Sequence, residues 1–252
     1  MLPYRLLALD LDGTTLNDNK EISFPTKYWV KQAVENGVIV SIATGRGRQT
    51  AEAFRKELSL SSPMVFLNGA EIWKTPADLF ERHYLKTQDI FRLHRLATQT
   101  DSWFWGFTVD RFIRKPDWQD EDVNDRWMKF GLLNNNVTLI KELKLELESW
   151  GHLEITQSAE NNLEISAKGI TKEYGIRKVC SLLDIELENV MAIGDSFNDL
   201  QLLTSVGLGV AMENASDEVK RAADKITSSN EKDGVARAIC QYIFEIDYRE
   251  KL

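Results

Sequence analysis

Apolar and polar positions alternate between two periods along the chain, and the switches mark its elements. "YRLLALDL" near the start is an almost unbroken apolar run, as expected of a strand covered on both faces. "SFPTKYWVKQAVENG" then takes helical spacing, with Ser23 as N-cap, Pro25 in the first turn and Gly37 at the close. "VIVSIATG" reads as a second buried strand, "RQTAEAFRKELSL" as a helix and "MVFLNGA" as a third, short strand. This β-α-β-α-β order predicts a parallel sheet with right-handed crossovers.

The pattern changes between about Leu85 and Glu164. Two helical stretches, "TQDIFRLHRLATQ" and "NVTLIKELKLELESW", stand among strand-like segments: "SWFWGFTV", "RFIRK", "HLEITQS" and "NLEIS". "KPDWQDEDVND" reads as loop or irregular helix. Five of the seven tryptophans (Trp103, Trp105, Trp118, Trp127, Trp150) fall here. Residues 85–164 are therefore expected to form an inserted α+β domain. The first pattern then resumes: helix "TKEYGIRKVCSLLDI", strand "NVMAIGD", helix "SFNDLQLLTSV", strand "GLGVAM", helix "SDEVKRAAD", short strand "KITSS" and final helix "GVARAICQYIFEI". The expected fold is α/β, a doubly wound, Rossmann-like parallel-sheet core of residues 1–84 and 165–252, split by the insert.

Composition narrows the function classes. The 252 residues are 43% hydrophobic and 10% aromatic, enough for a substantial core. The net charge of −8 argues against a nucleic-acid partner, which would need a basic face. No apolar run approaches the ~20 residues that span a bilayer, so no membrane partner is expected. "MLPYRLLALDLDG" lacks the cleavage site of a secretory signal. The two cysteines, Cys180 and Cys240, fall within helical patterns and read as buried thiols. A cytoplasmic protein, monomer or homodimer, is the expectation.

Ligands of doubly wound sheets bind beyond the carboxyl ends of the strands. Four such ends here carry chemistry: Asp10 with Asp12, Thr44 with Gly45 and Arg46, Asn68 with Gly69, and Asp195 with Asn198 and Asp199. Asp10 and Asp12 are two apart, so an extended backbone points both the same way. Like charges repel, and with Asp195 they make three acids converging on one place. That is unusual as packing and natural around a hard cation with oxygen ligands, of which magnesium is the obvious choice. Gly13 lets backbone N–H groups turn toward an anion, and Thr14 adds a hydroxyl donor. Singly, "DLDG", "ATGR" and "NG" are ordinary turns and "GDSFND" is a capped helix start, with Asp195 or Ser196 capping. Their joint occurrence at successive strand ends is harder to explain that way.

Those stretches resemble the motifs of the haloacid dehalogenase-like superfamily, Cof-type subfamily. "DLDGT" (10–14) is similar to its first motif, "ATGR" (43–46) to its second and "GDSFND" (194–199) to its fourth. In "EISAKGITKEYGI" the lysine of the third is best matched by Lys172, with Lys168 the competitor. Departures are Glu173 after the lysine, Glu213 in place of a glycine, and Thr15 where leucine is common. The resemblance implies a magnesium-dependent phosphatase of small phosphorylated metabolites. Asp10 would be the nucleophile that forms an aspartyl-phosphate and Asp12 the general acid and base, an assignment residue chemistry alone leaves open. Thr44 and Lys172 would hold phosphoryl oxygens. Asp10, Asp195 and Asp199 would surround the metal, Asp12 joining through its backbone carbonyl and Asn198 bonding from outside. Asn68 and Gly69 would lie beside the phosphate, and Arg46 would reach either substrate or an acid of the insert. The insert would be a cap that selects the leaving group. Trp103, Trp105 and Phe107 share one strand face; a ring platform is the sharper reading, but the preferred one buries them in the cap's own core. A phosphomutase and a non-catalytic phospho-ligand-binding regulator remain alternatives.

Overall fold

The computed structural model describes residues 2–248. The first half of the core runs β1 (Leu6–Leu9), α1 (Phe24–Glu35), β2 (Ile39–Ile42), α2 (Arg48–Glu57) and β3 (Met64–Phe66), then a hairpin of β4 (Glu71–Thr75) and β5 (Asp78–Arg82). The insert follows as α3 (Thr87–Gln99), β6 (Trp103–Thr108), β7 (Phe112–Arg114), β8 (Trp127–Leu133), α4 (Val137–Ser149), β9 (Leu153–Thr156) and β10 (Asn162–Ala167). The core closes with α5 (Lys172–Leu183), β11 (Val190–Gly194), α6 (Leu200–Leu203), β12 (Leu208–Ala211), α7 (Asp217–Ala222), β13 (Lys225–Ile226) and α8 (Gly234–Ala238).

The parallel sheet has the order β13-β12-β11-β1-β2. β3 joins its β2 edge through one parallel bridge, Ala43 to Val65, and continues as an antiparallel sheet with β4 and β5. Alternation within the apolar runs feeds two cores. Leu7, Leu9, Met191 and Ile193 pack toward α1 and α8, while Leu6, Ala8, Val190 and Ala192 pack toward α5, α6 and α7. Ser23 caps α1 as the sequence predicts, accepting from the Thr26 N–H at 3.3 Å.

The insert is an antiparallel sheet of order β7-β6-β8-β10-β9 with α3 and α4 on one face. Its central strand, β8, was not expected: "WMKFGLL" alternates poorly and carries a lysine in mid-run. The β4–β5 hairpin also escaped the pattern, because its second strand is largely exposed. The "KPDWQDEDVND" stretch forms two short 3₁₀ turns, 115–117 and 120–124. β10 runs through the expected boundary at 164/165. "SFNDLQLLTSV" is less helical than its spacing implies, a 3₁₀ turn leading into the four-residue α6.

One feature of the insert overturns an expectation. Trp105 and Phe107 are not in its core, which is built from Phe104, Trp127, Phe130 and the helices. They lie on the opposite face and pack toward the parallel-sheet domain, and Trp103 beside them is 43% exposed. The helices cover only one side of the sheet, and β6 turns its smaller apolar share to them.

Candidate active site

Strand order reverses between β1 and β11, since β2 lies on one side of β1 and β11 on the other. That crevice is where an open α/β sheet presents its loops. It brings the loop after β1, with Asp10, against the loop after β11, with Asp195.

Three carboxylates converge there. Asp10, Asp195 and Asp199 each place one oxygen within 4.8 Å of the others. The Asp12 side chain, which the extended-backbone reading aimed at the same place, lies outside this trio. Burial, with the neighbouring acids, pushes Asp10 well above the ordinary carboxylate range against the opposing pull of Lys172. Burial and Asp199 likewise push Asp195 up to about 6. Lys172, the first residue of α5 behind the Thr171 cap, is buried and bonds both Asp10 and Asp199 at 2.7 Å. Its ammonium stays charged, because the two acids outweigh its burial. Lys168, the competitor, is exposed and paired with Glu154.

The surrounding backbone is shaped to these acids. Gly13 has φ +74°, and a Cβ there would stand 2.4 Å from Asp195 Oδ2. Thr14 Oγ1 donates to Asp195 at 2.8 Å, and Thr15 Oγ1 donates to the Asp10 carbonyl at 2.5 Å, so that departure from the motif ties the loop down. Ser196, rather than Asp195, is the cap, with Asp199 Oδ2 accepting from the N–H groups of Asp195 and Ser196. Asp12 faces Arg46, which donates at 2.5 and 2.7 Å, and Lys20, at 2.8 Å. Burial opposes its charge, but these two cations prevail and hold it at about 2.

A cavity of about 510 Å³ opens over the acids. Asp10, Asp12, Gly13, Thr44, Gly45, Arg46, Asp195 and Asn198 line it. Thr14, Asn68, Gly69, Lys172 and Asp199 are not among its lining residues. Asn68 donates to Glu164 at 2.6 Å and to Thr156 at 3.1 Å. Gly69 has φ +102°, and a Cβ there would meet the Thr171 carbonyl. Asn198 Oδ1 is buried without a hydrogen-bond partner. Hard oxygen donors in a buried, mutually repelling cluster, beside an unused acceptor, fit a divalent cation such as magnesium.

The insert supplies the far wall, which sequence reasoning largely missed: Trp105, Phe107, Phe112, Lys129, Ser158 and Glu164. Trp105 lies across Gly131, where a Cβ would come within 2.3 Å of the indole. Phe107 and Phe112 stack with centroids 4.7 Å apart. The available signals were the lysine inside the apolar "WMKFGLL" and the alternation in "NLEIS", which puts Glu164 opposite Leu163 and Ile165. Glu173 and Glu213 play no part in this wall: Glu173 pairs with Arg177, and Glu213 with Lys232.

The parallel sheet carries acids at its switch point, and the inserted sheet faces them across the cavity. The model for haloacid dehalogenase-like hydrolases matches residues 7–120 and 107–239, and the chain belongs to that family. It is an enzyme of the phosphatase type. The chain is 39% identical to the 5-amino-6-(5-phospho-D-ribitylamino)uracil phosphatase YcsE of Bacillus subtilis, over 95% of this chain and 96% of that one. It is 26% identical to the pyridoxal phosphate phosphatase YbhA of Escherichia coli, over 95% and 98%. A haloacid dehalogenase-like hydrolase from B. subtilis shares the fold, with TM-score 0.87, 22% identity and coverage of 93% and 98%. No helix among the described residues is long and apolar enough to cross a membrane.

Proposed function

We propose that the chain is a magnesium-dependent phosphatase of small phosphorylated metabolites, with 5-amino-6-(5-phospho-D-ribitylamino)uracil as the first substrate to try. The observation that carries this reading is the cavity itself: Asp10 and its acid cluster on one wall, and an aromatic and polar surface from the insert on the other. Its size suits a single metabolite. The name of the B. subtilis relative directs the choice of substrate. The indole of Trp105, spread over Gly131, offers a flat surface to a ring-bearing leaving group.

Asp10 is assigned as the nucleophile. It must be ionised to attack phosphorus, and Lys172 at 2.7 Å favours that form. Asp10, Asp195 and Asp199 would hold magnesium, with the Asp12 carbonyl. When bound, the ion would neutralise charge between the carboxylate and the phosphoryl group. Two of the three Lys172 N–H groups are taken by Asp10 and Asp199, and the third is assigned to a phosphoryl oxygen. Thr44 Oγ1 accepts from the Arg46 N–H at 3.2 Å, which leaves its own hydrogen for a second such oxygen. Asp12 is assigned as general acid and base. Paired with Arg46 and Lys20 it holds no proton, so it can donate only once that arrangement opens. An entering dianionic ester competes for Arg46, and Asp12, losing that partner, moves toward a range where it can carry a proton. It then passes the proton to the leaving oxygen and later takes one from the hydrolytic water.

The test is phosphate release from a panel of phosphorylated metabolites with and without magnesium. Asp10→Asn should lower turnover by at least ~10³-fold while the protein remains folded. Turnover unchanged in that variant would remove Asp10 as nucleophile.

A further inference from the structure

Across the cavity from the acids, the insert carries a second buried ion pair. Lys129 on β8 and Glu164 on β10 meet at 2.6 Å. Both charges also end on core groups. Lys129 Nζ donates to the Gly45 carbonyl at 2.9 Å, and Glu164 Oε2 accepts from Asn68 Nδ2 at 2.6 Å. Ser158 Oγ holds the other Glu164 oxygen at 2.9 Å.

The two core segments so gripped are themselves clasped together. The Asn68 N–H donates to the Thr44 carbonyl and the Leu67 N–H to the Arg46 carbonyl, each at 3.0 Å. Leu67 and Asn68 have φ of +53° and +56°, left-handed backbone that a leucine rarely takes. Such a conformation persists where the surroundings over-determine it. The bonds from the insert to Asn68 and Gly45 are part of those surroundings.

Burial opposes the charge on Lys129 and holds its ammonium below its ordinary value, while Lys129, Asn68 and Ser158 outweigh burial at Glu164 and keep it ionised. A buried ion pair often holds a fold no better than apolar side chains of the same volume. Stability alone therefore gives a weak reason for placing one here.

We propose that Lys129 and Glu164 are positioning residues: their ion pair sets the 44–46 loop and Asn68 in the arrangement that receives the phosphoryl group. The insert then governs the reaction through core loops as well as through contact with the leaving group. This rests on the phosphatase reading above.

The test compares wild type, Glu164→Gln and the double variant Lys129→Met/Glu164→Leu on acetyl phosphate and on pyridoxal phosphate. Apolar replacement of both charges should leave the melting temperature near or above wild type. In the double variant kcat should fall by ~10²-fold on both substrates with KM changed by less than about threefold, because placement is lost rather than leaving-group contact. Glu164→Gln keeps an acceptor for Lys129 and Asn68, turns an amide N–H toward Ser158 and should lose only about tenfold; it carries the test if the double variant fails to fold. Amide hydrogen exchange at residues 44–46 and 67–69 should quicken in the double variant. Unchanged kcat and exchange would reduce the pair to packing. A loss confined to pyridoxal phosphate, seen in KM, would make it a leaving-group contact and overturn the proposal. A wild type that releases no phosphate from any phosphorylated substrate would refute the phosphatase reading, and the exchange measurement would still decide the coupling.

Discussion

Two lysines sit fully buried beside the same cavity, and they live in opposite electrostatic circumstances. Lys172, in the core, faces two bonded carboxylates with a third close by, and its ammonium is pushed above the ordinary value. Lys129, in the insert, faces one carboxylate and is pushed below it. Burial acts against both charges; at Lys172 the bonded acids outweigh it, while at Lys129 the Glu164 carboxylate does not and the Lys172 ammonium adds to the opposition. The Lys129 pair balances its own charge and bonds the Gly45 carbonyl and Asn68, which suits it to holding those core groups in place. The Lys172 cluster keeps excess negative charge after its lysine is counted, and that excess is what a divalent cation would answer. Buried lysine alone is thus a poor guide to role; the charge left unbalanced around it is a better one.

Three measurements test this contrast. The largest effect is expected from removing each cation in turn. Lys172→Met strands several buried acids and should destabilise the metal-free protein by ~3–5 kcal/mol and abolish turnover. Millimolar magnesium should restore much of its melting temperature. Lys129→Met strands only Glu164, which can take up a proton, so the loss should be smaller and indifferent to magnesium. Equal magnesium rescue of both variants would erase the distinction.

A second, intermediate effect concerns pH. The Asp195 carboxyl stands at about 6 when folded against an ordinary 3.8, so folding takes up a proton between those values. Melting temperature in EDTA should therefore fall as pH rises from 4 through 6. Magnesium, which binds the ionised form, should flatten or reverse that slope. A metal-free protein that grows more stable across this window would contradict the excess of negative charge.

The smallest effect is expected at the insert's aromatic face. Trp105→Ala should raise KM for a ring-bearing ester by about tenfold, the worth of one good aromatic contact, and leave acetyl phosphate unaffected. Equal losses on both substrates would move Trp105 from leaving-group contact to a general packing role.

Much of this arrangement is legible in residue order. The loops that carry Asp10, Thr44, Asn68 and Asp195 follow apolar runs, and a strand end declares itself through turn chemistry in its own few residues. The Ser23 cap and the four-residue reach of the Ser196–Asp199 turn are equally local. Where the reading failed, the deciding interaction lay far off in the chain. The strand β8 hid its pattern because Lys129 is neutralised by Glu164 from another strand. The spacing of Asp10 and Asp12 aimed both side chains at the acid trio, but the Asp12 side chain pairs with Arg46 instead.

Residue order alone carries the α/β alternation and the acids at the strand ends, because apolar periodicity and turn chemistry act over a handful of neighbours. Only the tertiary structure decided which carboxylates meet and which face of β6 looks into the cavity. Those outcomes depend on the reversal of strand order between β1 and β11 and on which side of the insert's sheet its helices cover. Both are set by packing between segments distant in the chain, and no local pattern records them.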